Sequence, residues 1–456
     1  MKILSILTIL FLAASSPLHA QDTLRVSFDE FLLKATENSG QIKYEQTKIK
    51  LADNRLEHAK DLRFLPRLGL ESEHSLVPGA TSPNGFPEEQ IYLDPDAYND
   101  WDHVGLFTRF RISGVQPIFT WGAINKAIDA ARIGVKAAEE EYQVSKADFN
   151  LELYQLYYSY VLALEIERLV KDADDKVGQI ERALTKEDSE HEINDTELFK
   201  FKVFKSEFEI QKFEVQQSLE FVKSAWNYAL RNESNIVYEP SQRFLEPVKT
   251  QLMDISYYQT TASLYRPELK GLEYGKEAML SYISSLKAQN LPGLYFGFTT
   301  TFASTPIRPR QPNPFISTPE NTFNTALGFS IRQNLNFLQS NTNIQRSKIE
   351  LRKITTLKDA AQDGIMLQVL DAYKNAAIDD VRVKKTNEAL ITTKEWLTME
   401  QLDYDFGIGR VKDLIDAMKK ELELRLKEKE TIFDFNTSIV KLNISAGLPL
   451  TSSINN

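Results

Sequence analysis

The sequence has 456 residues, of which 42% are hydrophobic and 26% are charged, and its net charge is −10. An acidic balance without a basic cluster argues against nucleic acid as a partner. The sequence contains no cysteine, which excludes a disulfide framework and a lipidated N-terminal cysteine, so stability must come from packing and assembly.

The first 20 residues have the pattern of a secretory signal peptide. Lys2 precedes an apolar run that ends at Leu12, and Ala20 closes a cleavage site with small residues before it. We therefore predict that 1–20 is removed and that the exported chain starts at Gln21. No later stretch approaches the ~20 apolar residues that a membrane-spanning helix needs, so any membrane crossing would use strands.

Two segments with alternating hydrophobicity predict β-hairpins, at 66–118 and at 292–338. In the second hairpin, Thr or large apolar residues at every second position from Phe323 to Ile331 alternate with small or polar residues. This alternation is longer than the ~5–6 residues of an ordinary globular strand, and it suits a strand between lipid and a polar lumen. A soluble antiparallel sheet with one buried face is the alternative interpretation.

Long stretches with apolar residues at helical spacing surround both hairpins. The predicted helices are 28–62, Gly122 to about Glu165, 166–187, 195–230, 255–288, Asn341 to Ile378, 384–405 and 411–446. Gly407 and Gly409 predict a helix stop and restart before Val411. The order of helix, hairpin and long helices occurs twice, which predicts two structural repeats, 21–250 and 251–450, followed by a tail, 451–456.

The sequence gives no sign of enzymatic chemistry. The histidines after the signal peptide lack paired metal-ligand spacing, and they are His58, His74, His103 and His191. The tripeptide that starts at Asp405 occurs in protein kinases, but the other kinase motifs are missing, as are a P-loop and a Gly-x-Ser-x-Gly motif. We therefore predict that the protein is not an enzyme and has no catalytic residue, cofactor or metal site.

Several short motifs occur in a characteristic order. They are Ser27-Phe28-Asp29-Glu30-Phe31, Leu65-Pro66-Arg67-Leu68, Gln116-Pro117-Ile118-Phe119, Leu291-Pro292-Gly293-Leu294, Tyr404 to Ala417, and Ala446-Gly447-Leu448-Pro449. Their order and twofold repetition resemble the outer membrane efflux protein family, the TolC-like trimeric channels. The resemblance covers essentially all of the mature sequence.

The resemblance implies a mostly α fold with a four-stranded transmembrane β contribution. In such a TolC-like trimeric duct, three chains share a 12-stranded β-barrel in the outer membrane of a Gram-negative bacterium, and a long α-helical tunnel extends into the periplasm. The implied function is passive export of small molecules or polypeptides, in tripartite efflux or type I secretion. A periplasmic or surface coiled-coil scaffold with a soluble β-sheet remains the alternative.

The resemblance also implies partners. They are two further copies of the chain in a homotrimer, outer-membrane lipid, a periplasmic adaptor (membrane fusion) protein and an inner-membrane pump of the RND or ABC type. No nucleic acid is expected.

In that architecture, the turns between the long helices lie at the periplasmic tip. Counting along the chain predicts turns at Leu164–Arg168 and Ile378–Arg382. The residues predicted to contact the adaptor are Glu165, Glu167, Arg168, Asp379 and Arg382. We hypothesise that Asp379 and Asp380 form an acidic ring at a closed aperture, with Arg168 or Arg382 pairing across helices to hold it shut. Solvated turn residues without a gating role are the alternative.

Overall fold

The computed structural model describes residues 23–64, 67–83, 85, 95–188, 195–232, 236–308, 310, 318–406 and 408–450. The chain divides into two compact units. The first, here called the helical unit, contains Met1–Gln46, Glu141–Leu269 and Ala360–Asn456. The second, the sheet unit, contains Thr47–Glu140 and Lys270–Asp359. Each unit combines segments from both predicted repeats, so units and repeats divide the chain differently. The predicted signal peptide and tail lie outside the described residues.

The secondary structure elements follow one another in a mixed order. They are β1 (Thr23–Val26), α1 (Phe28–Asn38), α2 (Gly40–Phe64), β2 (Arg67–Thr81), β3 (Tyr98–Phe119), α3 (Ala123–Asp188), α4 (Asp195–Leu230), β4 (Val237–Pro240), α5 (Ile255–Tyr265), α6 (Pro267–Ala288), β5 (Gly293–Ser304), β6 (Thr322–Arg332), α7 (Phe337–Asp405) and α8 (Val411–Ser445).

The sheet unit contains a four-stranded sheet with the strand order β2-β3-β5-β6, in which all neighbours are antiparallel. Phe110 lies opposite Phe302, and Phe302 lies opposite Phe323, so these aromatic side chains of three strands share one face. The predicted return strand of the second hairpin is too long, because β6 ends at Arg332 and Phe337 already begins α7.

The core of the helical unit is aromatic. Phe31 of α1 and Trp226 of α4 are fully buried with ring centroids 4.7 Å apart, and Tyr160 of α3 lies 4.8 Å from Trp226, edge to face. A capping box fixes the start of α1: the Ser27 hydroxyl accepts from the Glu30 N–H, and the Glu30 carboxylate accepts from the Ser27 N–H. The N-terminal segment is thereby attached to two long helices.

The predicted breaks at Leu164–Arg168 and Ile378–Arg382 are wrong. α3 is one helix of 66 residues and α7 one of 69 residues, and both continue through the predicted turns. The physical reason is that neither stretch contains Gly or Pro, and that one side of each packs into the unit. α3 continues to Asp188, beyond which residues 189–194 lie outside the described part of the chain, and α7 ends at the turn after Asp405.

Two other predicted helices are interrupted. The helix expected at 28–62 stops at Asn38, because Ser39 has an extended backbone (ψ 123°) and its hydroxyl accepts from the Ile42 N–H at the start of α2. The helix expected at 255–288 is broken at Arg266, the residue before Pro267. Within the described residues, no helix has the length and apolar composition that crossing a membrane requires.

Candidate functional site

One face of the four-stranded sheet is polar and ion-paired. Arg109 of β3 donates to Glu73 of β2 at 2.9 Å, and Arg111 donates to Glu71 at 2.8 Å. Because side chains alternate along a strand, this face also carries Tyr295. Arg332 follows the same alternation on β6. We call this surface the polar face.

The opposite face is apolar and exposed. Its large side chains on the outer strands include Leu70 and Leu327, and Leu327 is 71% exposed. A small polar group interrupts it, where His74 Nδ1 lies 3.0 Å from Thr108 Oγ1 and Nε2 lies 2.9 Å from Ser72 Oγ. An apolar surface of this extent on a folded chain indicates contact with lipid or with other protein. We call it the apolar face.

The loop after β5 is fastened to the first hairpin. Arg308 Nε donates to the Pro78 carbonyl at 2.9 Å and its Nη2 donates to Asn99 Oδ1 at 2.8 Å. The Ile307 side chain lies over Gly105, where an added Cβ would be 2.6 Å from Ile307 Cγ2. Gly105 lies four residues before Arg109 on β3 and therefore on the same face of the sheet, so this loop lies against the polar face. We call this contact the loop clasp.

The loop clasp gives a first prediction. Arg308→Ala removes the bonds to Pro78 and Asn99, a loss of about 2 kcal/mol, and should raise the open fraction of the loop about thirtyfold. Amide hydrogen exchange of residues 305–308, measured by mass spectrometry on the detergent-solubilised protein, should accelerate accordingly. Exposed Arg310 is the control, because Arg310→Ala removes the same charge two residues further on. Equal exchange in both variants would show that the clasp does not hold the loop.

The residues predicted for an aperture lie within helices rather than at turns. Arg382 donates to Asp379 at 2.6 Å, and Lys384 to Asp380 at 2.6 Å, both inside α7. Arg168 donates to the Arg243 carbonyl at 3.1 Å. In the described part of the chain, the direct ion pair of Arg382 therefore lies inside one helix, and the hydrogen bond of Arg168 reaches a backbone carbonyl. The proposed acidic ring and adaptor contact of these residues, and of exposed Glu167, stay predictions.

Glu165 has a structural role that the sequence did not reveal. Its side chain is 4% exposed and accepts from the Leu245 N–H at 3.1 Å. Asn436 of α8 likewise accepts from the Val248 N–H at 2.9 Å and donates to the Glu246 carbonyl at 2.8 Å. These side chains hold the irregular segment that follows β4 against the long helices. A charged residue between the apolar Leu164 and Ile166 was the available signal.

Burial raises the pKa of Glu165, and the Leu245 N–H and the Lys429 ammonium offset this only in part. A carboxyl group with a raised pKa in the folded state costs stability when it is ionised. The wild type should therefore gain stability as the pH falls from neutral through that pKa.

This gives a second prediction. Glu165→Gln keeps an acceptor for the Leu245 N–H and carries no charge, so it should be more stable than the wild type near neutral pH. The difference should shrink as the pH falls through the raised pKa of the wild-type carboxyl and that group takes up a proton. Thermal melting followed by circular dichroism at several pH values measures both. Glu167→Gln, at an exposed position on the same helix, is the control, and an unchanged pH profile in Glu165→Gln would contradict the assignment.

The turn between α7 and α8 lies in the helical unit at the position that the glycine pair predicts. Phe406 and Ile408 in this turn are 76% and 77% exposed. At Gly409 an added Cβ would lie 2.7 Å from the Tyr404 backbone nitrogen, so the close turn requires glycine. Gly407 lies outside the described residues. The turn therefore presents two apolar side chains to its surroundings.

The chain has the fold of TolC-like outer-membrane channels, which confirms the predicted mostly α fold with a β contribution and the resemblance. The Campylobacter jejuni CmeC channel matches with a TM-score of 0.71 at 14% identity, over 94% of this chain and 87% of that chain. The open-state Neisseria gonorrhoeae MtrE channel matches with a TM-score of 0.71 at 13% identity, over 94% and 91%. The outer-membrane channel OprN matches with a TM-score of 0.72 at 11% identity, over 93% and 90%.

At these identities the similarity establishes the fold alone. No protein-family model matches the sequence. No curated protein matches it significantly either.

Proposed function

We propose that the protein is the outer-membrane channel component of a tripartite efflux or type I secretion system. It would act as a passive conduit from the periplasm to the exterior. The observation that carries this proposal is the two-sided sheet, in which an exposed apolar face lies opposite an ion-paired polar face. The fold that the chain shares with outer-membrane channels supports it.

The sheet supports a homotrimer. β2 and β6 end the strand order and have a partner on one side only among the described strands. Unpaired strand edges are too costly in lipid, so the edges must meet other copies of the chain. Three copies with four strands each would close a 12-stranded barrel, an even number that is normal for such barrels. Its outer surface would contact outer-membrane lipid.

The turn between α7 and α8 supports a periplasmic partner. Phe406 and Ile408 are large apolar side chains in an exposed turn, and such side chains suit a protein contact. We assign an adaptor contact to this turn, in addition to the contact that stays predicted for Glu165, Glu167, Arg168, Asp379 and Arg382. An inner-membrane pump of the RND or ABC type would supply the energy, so the conduit itself needs no catalytic group or cofactor.

The scaffold alternative is weaker. In a soluble scaffold protein, the apolar face of the sheet would be buried against the rest of the chain. Here Leu70, Phe323 and Leu327 are strongly exposed.

Fractionation and mass measurement test the proposal. Cells that express the full chain are separated into soluble and outer-membrane fractions, and the membrane fraction is run in mild detergent on a sizing column with light scattering. A mass of about three chains, together with ion conductance in planar bilayers, is expected for a trimeric conduit. A soluble monomer or dimer would overturn the proposal and favour the scaffold.

A further inference from the structure

A cavity of about 540 Å³ lies in the sheet unit, where the strands meet the adjoining helices. Strand residues form one part of its lining and include Arg67, Tyr295 and Arg332. Apolar side chains form the other part and include Leu62, Ile124 and Leu291. The volume lies within the ~300–1,000 Å³ of pockets that bind small organic molecules.

The charge on the strand side of this cavity is positive. Glu71 and Glu73 are already paired with Arg111 and Arg109 further along the polar face. Arg67 and Arg332, in contrast, form no ion pair with any carboxylate among the described residues, and both are exposed. Two guanidinium groups that line one cavity without a carboxylate attract an anion, and each can bind a carboxylate or sulfonate in a bidentate manner.

Tyr295 adds a flat aromatic surface. The Arg332 guanidinium lies over its ring, with 5.6 Å between the guanidinium carbon and the ring centroid. An added Cβ at Gly293 would lie 2.8 Å from the Tyr295 ring, so this glycine leaves room for the ring in its observed position. The cavity therefore joins cationic groups, an aromatic plane and an aliphatic wall.

From this combination we infer that the cavity binds amphipathic organic anions, with the acid group on Arg67 or Arg332 and the apolar body against Leu62, Ile124 and Leu291. An inorganic anion would leave the apolar wall wet, and a neutral or cationic compound would leave the guanidinium groups without a counter-charge. If the protein is the proposed conduit, such anions are a class of compound that it transports, and they bind at this cavity on their way through.

Equilibrium dialysis of the purified full chain in an uncharged detergent tests the binding site. The probes are naphthoate and its neutral analogue naphthamide, with detergent alone as the blank. We expect the wild type to bind naphthoate about tenfold or more tightly than naphthamide, because only the carboxylate forms charge-assisted hydrogen bonds with a guanidinium group. The double variant Arg67→Gln with Arg332→Gln should bind naphthoate no better than naphthamide.

The matched control is the double variant Arg346→Gln with Arg352→Gln. It removes the same two positive charges from exposed positions in the same unit, outside the cavity lining, so it should bind naphthoate like the wild type. Equal binding of the two probes, or undiminished naphthoate binding by the arginine double variant with native circular dichroism, would overturn the inference.

Planar bilayer recordings separate the two proposals. Channel currents without selective naphthoate binding would support the proposed conduit and contradict the proposed anion site. Selective binding without any channel current would support the anion site and contradict the conduit. Block of the wild-type current by naphthoate, with the arginine double variant unaffected, would support the site within the conduit.

Discussion

Leu327→Arg should abolish insertion into the outer membrane, whereas Ala326→Arg should be tolerated. The two residues are neighbours at the centre of β6 and lie on opposite faces of the sheet, opposite Phe298 and Thr299 of β5. An arginine on the lipid face near the middle of a bilayer costs about 2–4 kcal/mol per chain. A trimer would carry this cost three times, while a lumenal arginine stays in water.

Outer-membrane fractionation with quantitative blotting, followed by sizing in detergent, measures the outcome. For Leu327→Arg we expect loss of the membrane-inserted trimer and degradation of the chain. For Ala326→Arg we expect wild-type amounts and an altered ion selectivity. Equal insertion of both variants would show that the apolar face does not contact lipid, and would return the scaffold as the better explanation.

The strands could be predicted because a two-residue period of apolar side chains, when it continues over such a length, indicates a β-strand. The side-chain alternation of 323–331 fixes the two faces of β6 whatever strand lies beside it. The helix at 195–230 was bounded correctly, because polar residues flank a long apolar pattern. The stop before Val411 was visible in its glycines.

The helix breaks show where the sequence was misread. Ser39 followed by Gly40, and Pro267, are local signals that end helices, and both were available. The breaks predicted at Leu164–Arg168 and Ile378–Arg382 had no such signal. They rest on the architecture that the resemblance implies, and helices without Gly or Pro at these positions continue through them.

The contacts of the polar face depend on strand register, which the sequence alone does not supply. The two-residue spacing of Arg109 and Arg111 places them on one face of a strand, but their pairing with Glu73 and Glu71 depends on the alignment of β2 with β3. The loop clasp joins Pro78 and Asn99 to Arg308, more than 200 residues away in the chain. Such contacts have no local sequence pattern, so only the folded chain reveals them.

Gly447→Ala should strongly destabilise the helical unit. Gly447 ends α8 with φ +73°, a left-handed conformation that costs a non-glycine residue about 1–2 kcal/mol. An added Cβ would also lie 2.9 Å from both the Arg266 nitrogen and the Tyr265 carbonyl carbon. These are backbone atoms that cannot rotate away, so relieving the overlap must displace the junction between α5 and α6. Overpacking of this kind costs about a further 1–3 kcal/mol.

The position matters because several elements meet there. Arg266 donates to the Ile444 carbonyl at 3.2 Å, to Glu268 at 2.6 Å and to Gln368 of α7 at 3.1 Å. A shift of the Arg266 backbone would therefore weaken the attachment of α8 to α7 as well as to α5. The left-handed conformation and the overpacking, which includes the weakening of these bonds, should together cost about 2–5 kcal/mol in Gly447→Ala.

Gly364→Ala is the matched control, since this glycine lies inside α7 of the same unit and an added Cβ would meet nothing within 4 Å. Replacing such a helical glycine by alanine should stabilise the helix by about 1 kcal/mol. Denaturant titrations in mild detergent, followed by far-ultraviolet circular dichroism, should move the midpoint down for Gly447→Ala and slightly up for Gly364→Ala. If Gly447→Ala unfolds at the wild-type midpoint, the backbone at Arg266 can move aside without loss of stability. The hydrogen bonds of Arg266 would then not be what holds α8 against its neighbours.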